Sequence, residues 1–341
     1  MPASALRDAV RRLARHESLS TDESAAAFRA VMAGDGTPAL IAALLAALRV
    51  KGETHAEIAG AATALREAMT VMDTPNAGAL VDTCGTGGGA VSTFNISTAA
   101  ALVAAGAGVR VAKHGNRSFT TKCGSADVLE ALGVAIDLPV ERMASVLEEA
   151  GIVFMFAPTM HPAMRHVGPV RRELGIETVM NMVGPLANPA RAGRQVIGTS
   201  DATRTELMAG ALATLGTVHS LVVHGEPGMD EVSPMGPTAV VEIRGASVTR
   251  WTIDPSALGF GRASAGELTG GGPAENAAVI EAVLGGKGTA GASAAVLLNA
   301  AAAIYVADLA TSMGAALDVA RGAISSGHAR AALDRLRRAT R

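Results

Sequence analysis

The 341-residue chain predicts an α/β fold, with a mostly parallel central sheet flanked by helices, plus a smaller all-helical domain. Three observations predict it. The first 75 or so residues carry helix start signals and no strand pattern. After them, short β-type apolar runs alternate with helical stretches, the arrangement that builds parallel sheets. The 39 glycines exceed the usual ~7 % share and point to many tight turns and close backbone approaches.

The opening segment reads as short helices. Ser20-Thr21-Asp22-Glu23 is a capping box, Thr37-Pro38 supplies an N-cap and a first-turn proline, and Thr54 with Glu57 forms a second capping box. Residues 1–75 are read as the helical domain and 76–341 as the α/β domain. The linker is Asp73-Thr74-Pro75-Asn76. LVDTC (80–84) is a short strand entering a glycine-rich loop, NISTAAALVAAGAG (95–108) a small-residue helix and VRVAKHG (109–115) the next strand. Helices over 125–133 and 141–151 flank a buried strand at 152–157. A strand at 218–225 and a hairpin over 238–253 follow, and the chain returns to helix from Asn276.

Composition excludes several classes. With 49 % hydrophobic and 18 % charged residues the chain can bury enough surface to offset its ordering entropy, so disorder is excluded. Aromatics are only 2 %, which leaves a core of Ala, Val, Leu, Ile and Met. Lys and Arg number 29 against 31 Asp and Glu, and a net charge of −2 gives no basic field for nucleic acid or a membrane surface. Cys84 and Cys123 make no disulfide framework and fit a reducing compartment. The N-terminal segment has no apolar signal-peptide core. Between Lys287 and Asp308 an uncharged run has the length of a membrane span, but its small residues and central Asn299 read as a buried core helix. A soluble, cytoplasmic protein is expected.

Gly85-Thr86-Gly87-Gly88-Gly89 lies between a strand and a helix that begins near Asn95, the setting of a phosphate cradle. A flexible turn is the plainer alternative, since the loop lacks both the P-loop Lys-Ser/Thr and dinucleotide spacing. Ser92, Thr93, Asn95, Ser97 and Thr98 add donors that favour phosphate. Lys113-His114-Gly115-Asn116-Arg117 closes the next strand, where open α/β sheets bind ligands. Thr120-Thr121-Lys122-Cys123-Gly124-Ser125 follows as a second polar loop, so two loops form a two-lobed anion site. Asp230-Glu231, alone, is a solvated pair; opposite a phosphate lobe it is a Mg²⁺ ligand pair. The eight histidines show no metal-ligand spacing, and no serine lies in a nucleophile elbow.

In order, GTGG…TFNIST (85–98), VAKHGNR (111–117), KCGSADVLEALG (122–133), FAPTMHPAMRHVGPVRRELG (156–175), NMVGPLANPA (181–190) and HGEPGMDE (224–231) resemble the anthranilate phosphoribosyltransferases of tryptophan biosynthesis. GGPAENA (271–277) and LLNAAAAIY (297–305) fit as well. The resemblance implies transfer of the phosphoribosyl group of phosphoribosyl pyrophosphate (PRPP) to the amine of anthranilate, in a homodimer whose helical domain is completed by helices near 160–183. It implies PRPP contacts at Gly85, Gly88, Thr93, Asn95, Ser97, Thr98, Lys113 and Ser125. It implies anthranilate contacts at Gly85, His114, Asn116, His161, Arg171, Gly184 and Pro185, and two Mg²⁺ held by Ser97, Asp230 and Glu231. No catalytic nucleophile is expected: catalysis rests on positioning and on stabilising the leaving diphosphate. The family reads GTGGDG where this chain has Gly89-Ala90, which removes a carboxylate from the first loop, and Thr120-Thr121 replace its usual serines. A pyrimidine nucleoside phosphorylase would share the fold, but its Lys-x-Ser-x-Gly-Gly loop is absent; a silent nucleic-acid-binding relative is opposed by the charge balance.

Overall fold

The structure, a computed structural model, describes residues 2–118 and 122–341; Thr120 and Thr121, expected to supply loop hydroxyls, lie outside the described residues. Four helices open the chain: α1 (Pro2–Leu13), α2 (Thr21–Met32), α3 (Pro38–Lys51) and α4 (His55–Ala68). Their starts are the expected ones. The Ser20 hydroxyl accepts the Glu23 N–H at 3.3 Å while the Glu23 carboxylate accepts the Ser20 N–H at 2.8 Å. Thr54 and Glu57 repeat the exchange at 3.2 and 2.8 Å, and Thr37 caps α3 ahead of Pro38. Glu57 is fully buried and also accepts from Leu19 N–H and Lys51 Nζ, so its charge is compensated. Gly60 lets α2 and α4 touch: a Cβ there would stand 2.3 Å from the Thr21 carbonyl oxygen.

Seven strands form one sheet: β1 (Val81–Gly85), β2 (Val111–Gly115), β3 (Ile152–Phe156), β4 (Arg194–Gly198), β5 (His219–Gly225), β6 (Thr238–Arg244) and β7 (Ser247–Ile253). The order is β3-β2-β1-β4-β5-β6-β7; the first five run parallel and the β6–β7 hairpin antiparallel. Between these strands lie α5 (Ile96–Gly106), α6 (Ser125–Ala131), α7 (Val140–Ala150), α8 (Ala157–Met160), α9 (Gly168–Leu174), α10 (Met180–Val183) and α11 (Ala202–Leu215). The chain ends in α12 (Ala265–Leu268), α13 (Pro273–Leu284), α14 (Ala290–Val306), α15 (Met313–Ser325) and α16 (His328–Ala339).

Sequence reading missed β4 and α11. RQVIG opens with two polar residues and has too little alternation to register as a strand, yet β4 is a central strand whose Gln195 is buried. Its insertion decides the site: strand order reverses between β1 and β4, and such a switch point opens a crevice at the carboxyl ends of the strands.

Two apolar cores form. One packs α5 and α14 against the sheet. The other joins Leu44, Leu45 and Ile58 of the N-terminal helices to Val170, Met180 and Val183, and continues onto Ile197, Val222 and Ile243 of the sheet. The uncharged run near 290 is α14, 17 residues long and almost wholly buried. Among the described residues no helix is long and apolar enough to cross a membrane.

Candidate active site

At the switch point the ends of β1 and β4 meet, with Gly85 beside Gly198. The loop after β5 folds back over both. A Cβ on Gly198 would stand 1.7 Å from the Asp230 carbonyl oxygen, and one on Gly85 2.3 Å from Asp230 Oδ2. Gly85 is therefore required by the Asp230 carboxylate and Gly198 by its backbone. Gly87 and Gly88 are required by backbone: their φ values of +73° and +76° turn the loop so that Gly87 N–H donates to Asp230 Oδ2 at 2.8 Å. Glu231 Oε1 accepts the Ser97 N–H at 3.2 Å, at the positive end of α5. These two amides are weak compensation for two acids. Burial raises Asp230 above the usual carboxylate range, and burial followed by the Asp230 charge pushes Glu231 up to about 8. Hard oxygen donors that ionise only reluctantly without a cation suit Mg²⁺.

Behind the acids stands Asn299, the lone amide of α14. Its Oδ1 accepts the Val232 N–H and its Nδ2 donates to the Val232 carbonyl, both at 2.9 Å, so the apolar helix fixes the acidic loop. Lys113 is buried. It donates to the Thr83 carbonyl and to Ser97 Oγ (3.2 Å), and its charge opposes the rise at Glu231. Ser97 thus sits between Lys113 and Glu231, and the structure brings Gly85, Gly88, Ser97, Lys113, Asp230 and Glu231 to one crevice.

Other expected phosphate contacts are engaged within the protein. Both ends of the Asn95 amide are used: Nδ2 donates to the Cys123 carbonyl (3.2 Å) and Oδ1 accepts from Asn276 Nδ2 (2.9 Å), tying three loops together. Thr98 is buried with no partner for its hydroxyl, and Thr93 forms a backbone bridge to Thr269. Ser125 Oγ donates to the Asn116 carbonyl at 3.3 Å, and Asn116 Oδ1 accepts the Arg117 N–H at 2.7 Å. Among the cations of this segment, one is taken up by a neighbouring helix. Arg117 is neutralised by Asp127 and Glu130, at 2.8 and 2.5 Å.

On the other side lies an acceptor-like region. His114 ends β2 with Nδ1 2.6 Å from Asp82 Oδ2 and Nε2 3.1 Å from the Gly184 carbonyl. His161, after α8, is buried with neither ring nitrogen in a well-aligned hydrogen bond among the described residues, and burial followed by the His114 charge, opposed by the Ala187 backbone, brings it down to about 4, so it is neutral. Arg171 on α9 donates to Asn181 Oδ1 at 3.3 Å, in the segment leading to Gly184; among the described residues no carboxylate lies within ion-pair distance of it. Three carbonyls of the Gly184–Leu186 turn are each held by a different element: Gly184 by His114, Pro185 by Gln195 (2.9 Å) and Leu186 by Arg66 (2.7 Å). Asp82, Asn188, Gln195 and Arg66 were not read from the sequence; only polar residues inside apolar runs hinted at them.

Asp82, Cys84 and His114 bring potential ligand atoms within 4.8 Å of one another, which histidine spacing did not reveal because two strands contribute. The Asp82–His114 contact occupies those atoms. Neither cysteine is a nucleophile: burial pushes Cys84 well up and Cys123 up to about 11.

A family model described as glycosyl transferase family, a/b domain, matches residues 77–330, and one described as glycosyl transferase family, helical bundle domain, matches 7–69. The anthranilate phosphoribosyltransferase of Herpetosiphon aurantiacus is 51 % identical over 332 residues, covering 97 % of this chain and 98 % of that one. That of Thermomicrobium roseum is 52 % identical, covering 94 % and 92 %. The chain belongs to the anthranilate phosphoribosyltransferase family. Among solved structures, the anthranilate phosphoribosyltransferase from Thermus thermophilus superposes with a TM-score of 0.91 at 43 % identity, over 98 % of this chain and 99 % of that one. The Saccharomyces cerevisiae enzyme, solved in complex with PRPP and Mg, reaches 0.90 at 27 % identity over 99 % and 98 %.

Proposed function

We propose that this chain transfers the phosphoribosyl group of PRPP to the amine of anthranilate, giving N-(5-phosphoribosyl)anthranilate and diphosphate in tryptophan biosynthesis. The observation that carries the reading is the pair Asp230–Glu231, set under-compensated at the β1/β4 switch point beside the Gly85–Gly89 loop. Such a pair calls for a cation, and the loop for a phosphate. Asp230 and Glu231, with Ser97, would hold Mg²⁺, two ions per subunit. The bound metal supplies the positive charge that balances the diphosphate.

The chain's own residues position the reactants. The amine nitrogen forms a bond to C1 as the C1–O bond to diphosphate breaks, and the amine then gives up a proton; no covalent nucleophile is required. PRPP would lie along Gly85, Gly88, Thr93, Asn95, Ser97, Thr98, Lys113 and Ser125. The inward-facing amides of the loop and of α5 favour the leaving anion. Arg171 is a planar cation without an ionic partner among the described residues and would take the anthranilate carboxylate bidentately. Anthranilate would also meet Gly85, His114, Asn116, neutral His161, Gly184 and Pro185. A homodimer and a cytoplasmic setting belong to the same reading, the latter supported by a sequence whose two cysteines make no disulfide framework.

Anthranilate fluorescence tests the activity. Loss of signal is expected only with PRPP and Mg²⁺ both present, whereas phosphorolysis of thymidine or uridine would overturn the assignment. Light scattering on the eluting protein tests the dimer.

A further inference from the structure

Asp82 lies fully buried in β1, outside the expected site. Its Oδ2 accepts from His114 Nδ1 at 2.6 Å and from Asn188 Nδ2 at 2.8 Å. The second ring nitrogen of His114 faces the Gly184 carbonyl oxygen at 3.1 Å. A carboxylate and a carbonyl can only accept. A ring that satisfies both contacts donates from both nitrogens and is an imidazolium.

We propose that Asp82 is a positioning residue of the acceptor site: it holds His114 doubly protonated, and that cation pins the Gly184 carbonyl and with it the turn bearing Gly184 and Pro185. This rests on the proposed function for what the turn contacts. The other two carbonyls of the turn are held by Gln195 and Arg66, whose donors do not titrate near neutrality. His114 is the one donor of the three that a proton can switch off. As a neutral ring donating to Asp82, it would turn a lone pair toward the Gly184 oxygen, and attraction would become repulsion.

The surroundings agree. Burial works against a cation at His114, but the charge and hydrogen bond of Asp82 outweigh it and hold the ring above its usual range. The Asp82 carboxyl is held below its own range although burial opposes this. Lys113 on β2 opposes the cation, while Cys84 on β1 and His161 after α8 stay neutral beside it. Asn188 closes the network, because its donor requires an acceptor at the position of Oδ2. In Asp82→Asn that position must therefore hold the amide oxygen, and the amide cannot turn to donate to His114 instead.

The test is ¹⁵N-histidine NMR of the whole enzyme, with His114 assigned by the signal lost in His114→Gln. Both ring nitrogens should remain protonated at pH values above the ordinary histidine range, as Asp82 favours the cation. In folded Asp82→Asn one should be bare at neutral pH, and the anthranilate KM should rise about tenfold or more, with the PRPP KM little changed. Where Asp82→Asn does not fold, the wild type decides: its anthranilate KM should climb as His114 loses its second proton. A wild-type His114 with one bare nitrogen at pH 7 overturns the charge assignment, whatever the enzyme's substrate. A doubly protonated His114 whose loss leaves the anthranilate KM unchanged overturns the positioning role.

Discussion

Removing one charge from the acidic pair should stabilise the protein while abolishing its response to metal. In Glu231→Gln the perturbation is small in shape, and the amide oxygen still accepts from Ser97 N–H. A carboxyl raised from 4.5 to about 8 carries about 5 kcal/mol of penalty when forced to ionise. Gln gives part of this back, since a buried NH₂ needs a partner, which costs about 1–3 kcal/mol. A net gain of about 2–4 kcal/mol remains where Glu231 would be ionised, several degrees in melting temperature for a chain of this size. The sign follows from linkage. The folded state holds this proton more tightly than the unfolded chain, so the stability it contributes is complete below about pH 4.5 and is lost as pH rises through about 8. In chelator-treated protein the variant should melt at or below the wild type at acid pH and rise above it toward about pH 8.5. Mg²⁺ should then raise the wild-type melting temperature and leave the variant unmoved. A metal-free wild type that melts at or above the variant in alkaline buffer would refute the claim that Asp230 and Glu231 are held at a cost.

Three further outcomes follow from the same geometry. Arg171→Ala should raise the anthranilate KM ten- to a hundredfold, roughly, with little effect on PRPP, because a charge-assisted bidentate contact is lost; equal effects in steady-state kinetics would indicate a structural role for α9. Gly89 has no left-handed φ, and a Cβ there would stand 3.3 Å from the Gly228 carbonyl oxygen and 3.4 Å from Asp230 Oδ1, so Gly89→Asp adds a third carboxylate at the cost of a small shift of the facing loop. Half-saturating Mg²⁺ at fixed PRPP should therefore shift while the anthranilate KM holds, and superimposable Mg²⁺ titrations would show that residue 89 does not reach the metal. Asn299→Leu strands both polar groups of Val232 and should cost about 1–3 kcal/mol on thermal unfolding. It should also raise the Mg²⁺ requirement; a lower melting temperature with an unchanged Mg²⁺ titration would confine Asn299 to the core.

What the sequence determined alone was local chemistry. Capping at Ser20 and Thr54 is decided within four residues by hydroxyl and carboxylate reach, so those helix starts were legible. The glycine loop, the acid pair and the family motifs are contiguous runs and were legible for the same reason. The tertiary structure decided what those residues face. β4 has too few apolar residues to announce itself, yet its place beside β1 creates the crevice. Gly85 read as room for a ligand and turns out to be room for Asp230, a contact between residues more than a hundred positions apart, and Gly198, which the sequence did not single out, makes room for the same residue's backbone. Arg117 looked like an anion ligand until folding set Asp127 and Glu130 against it. The charge of His114 was invisible in the chain, because it depends on an acceptor from β1 and another from the turn after α10, and only folding brings both oxygens to one ring.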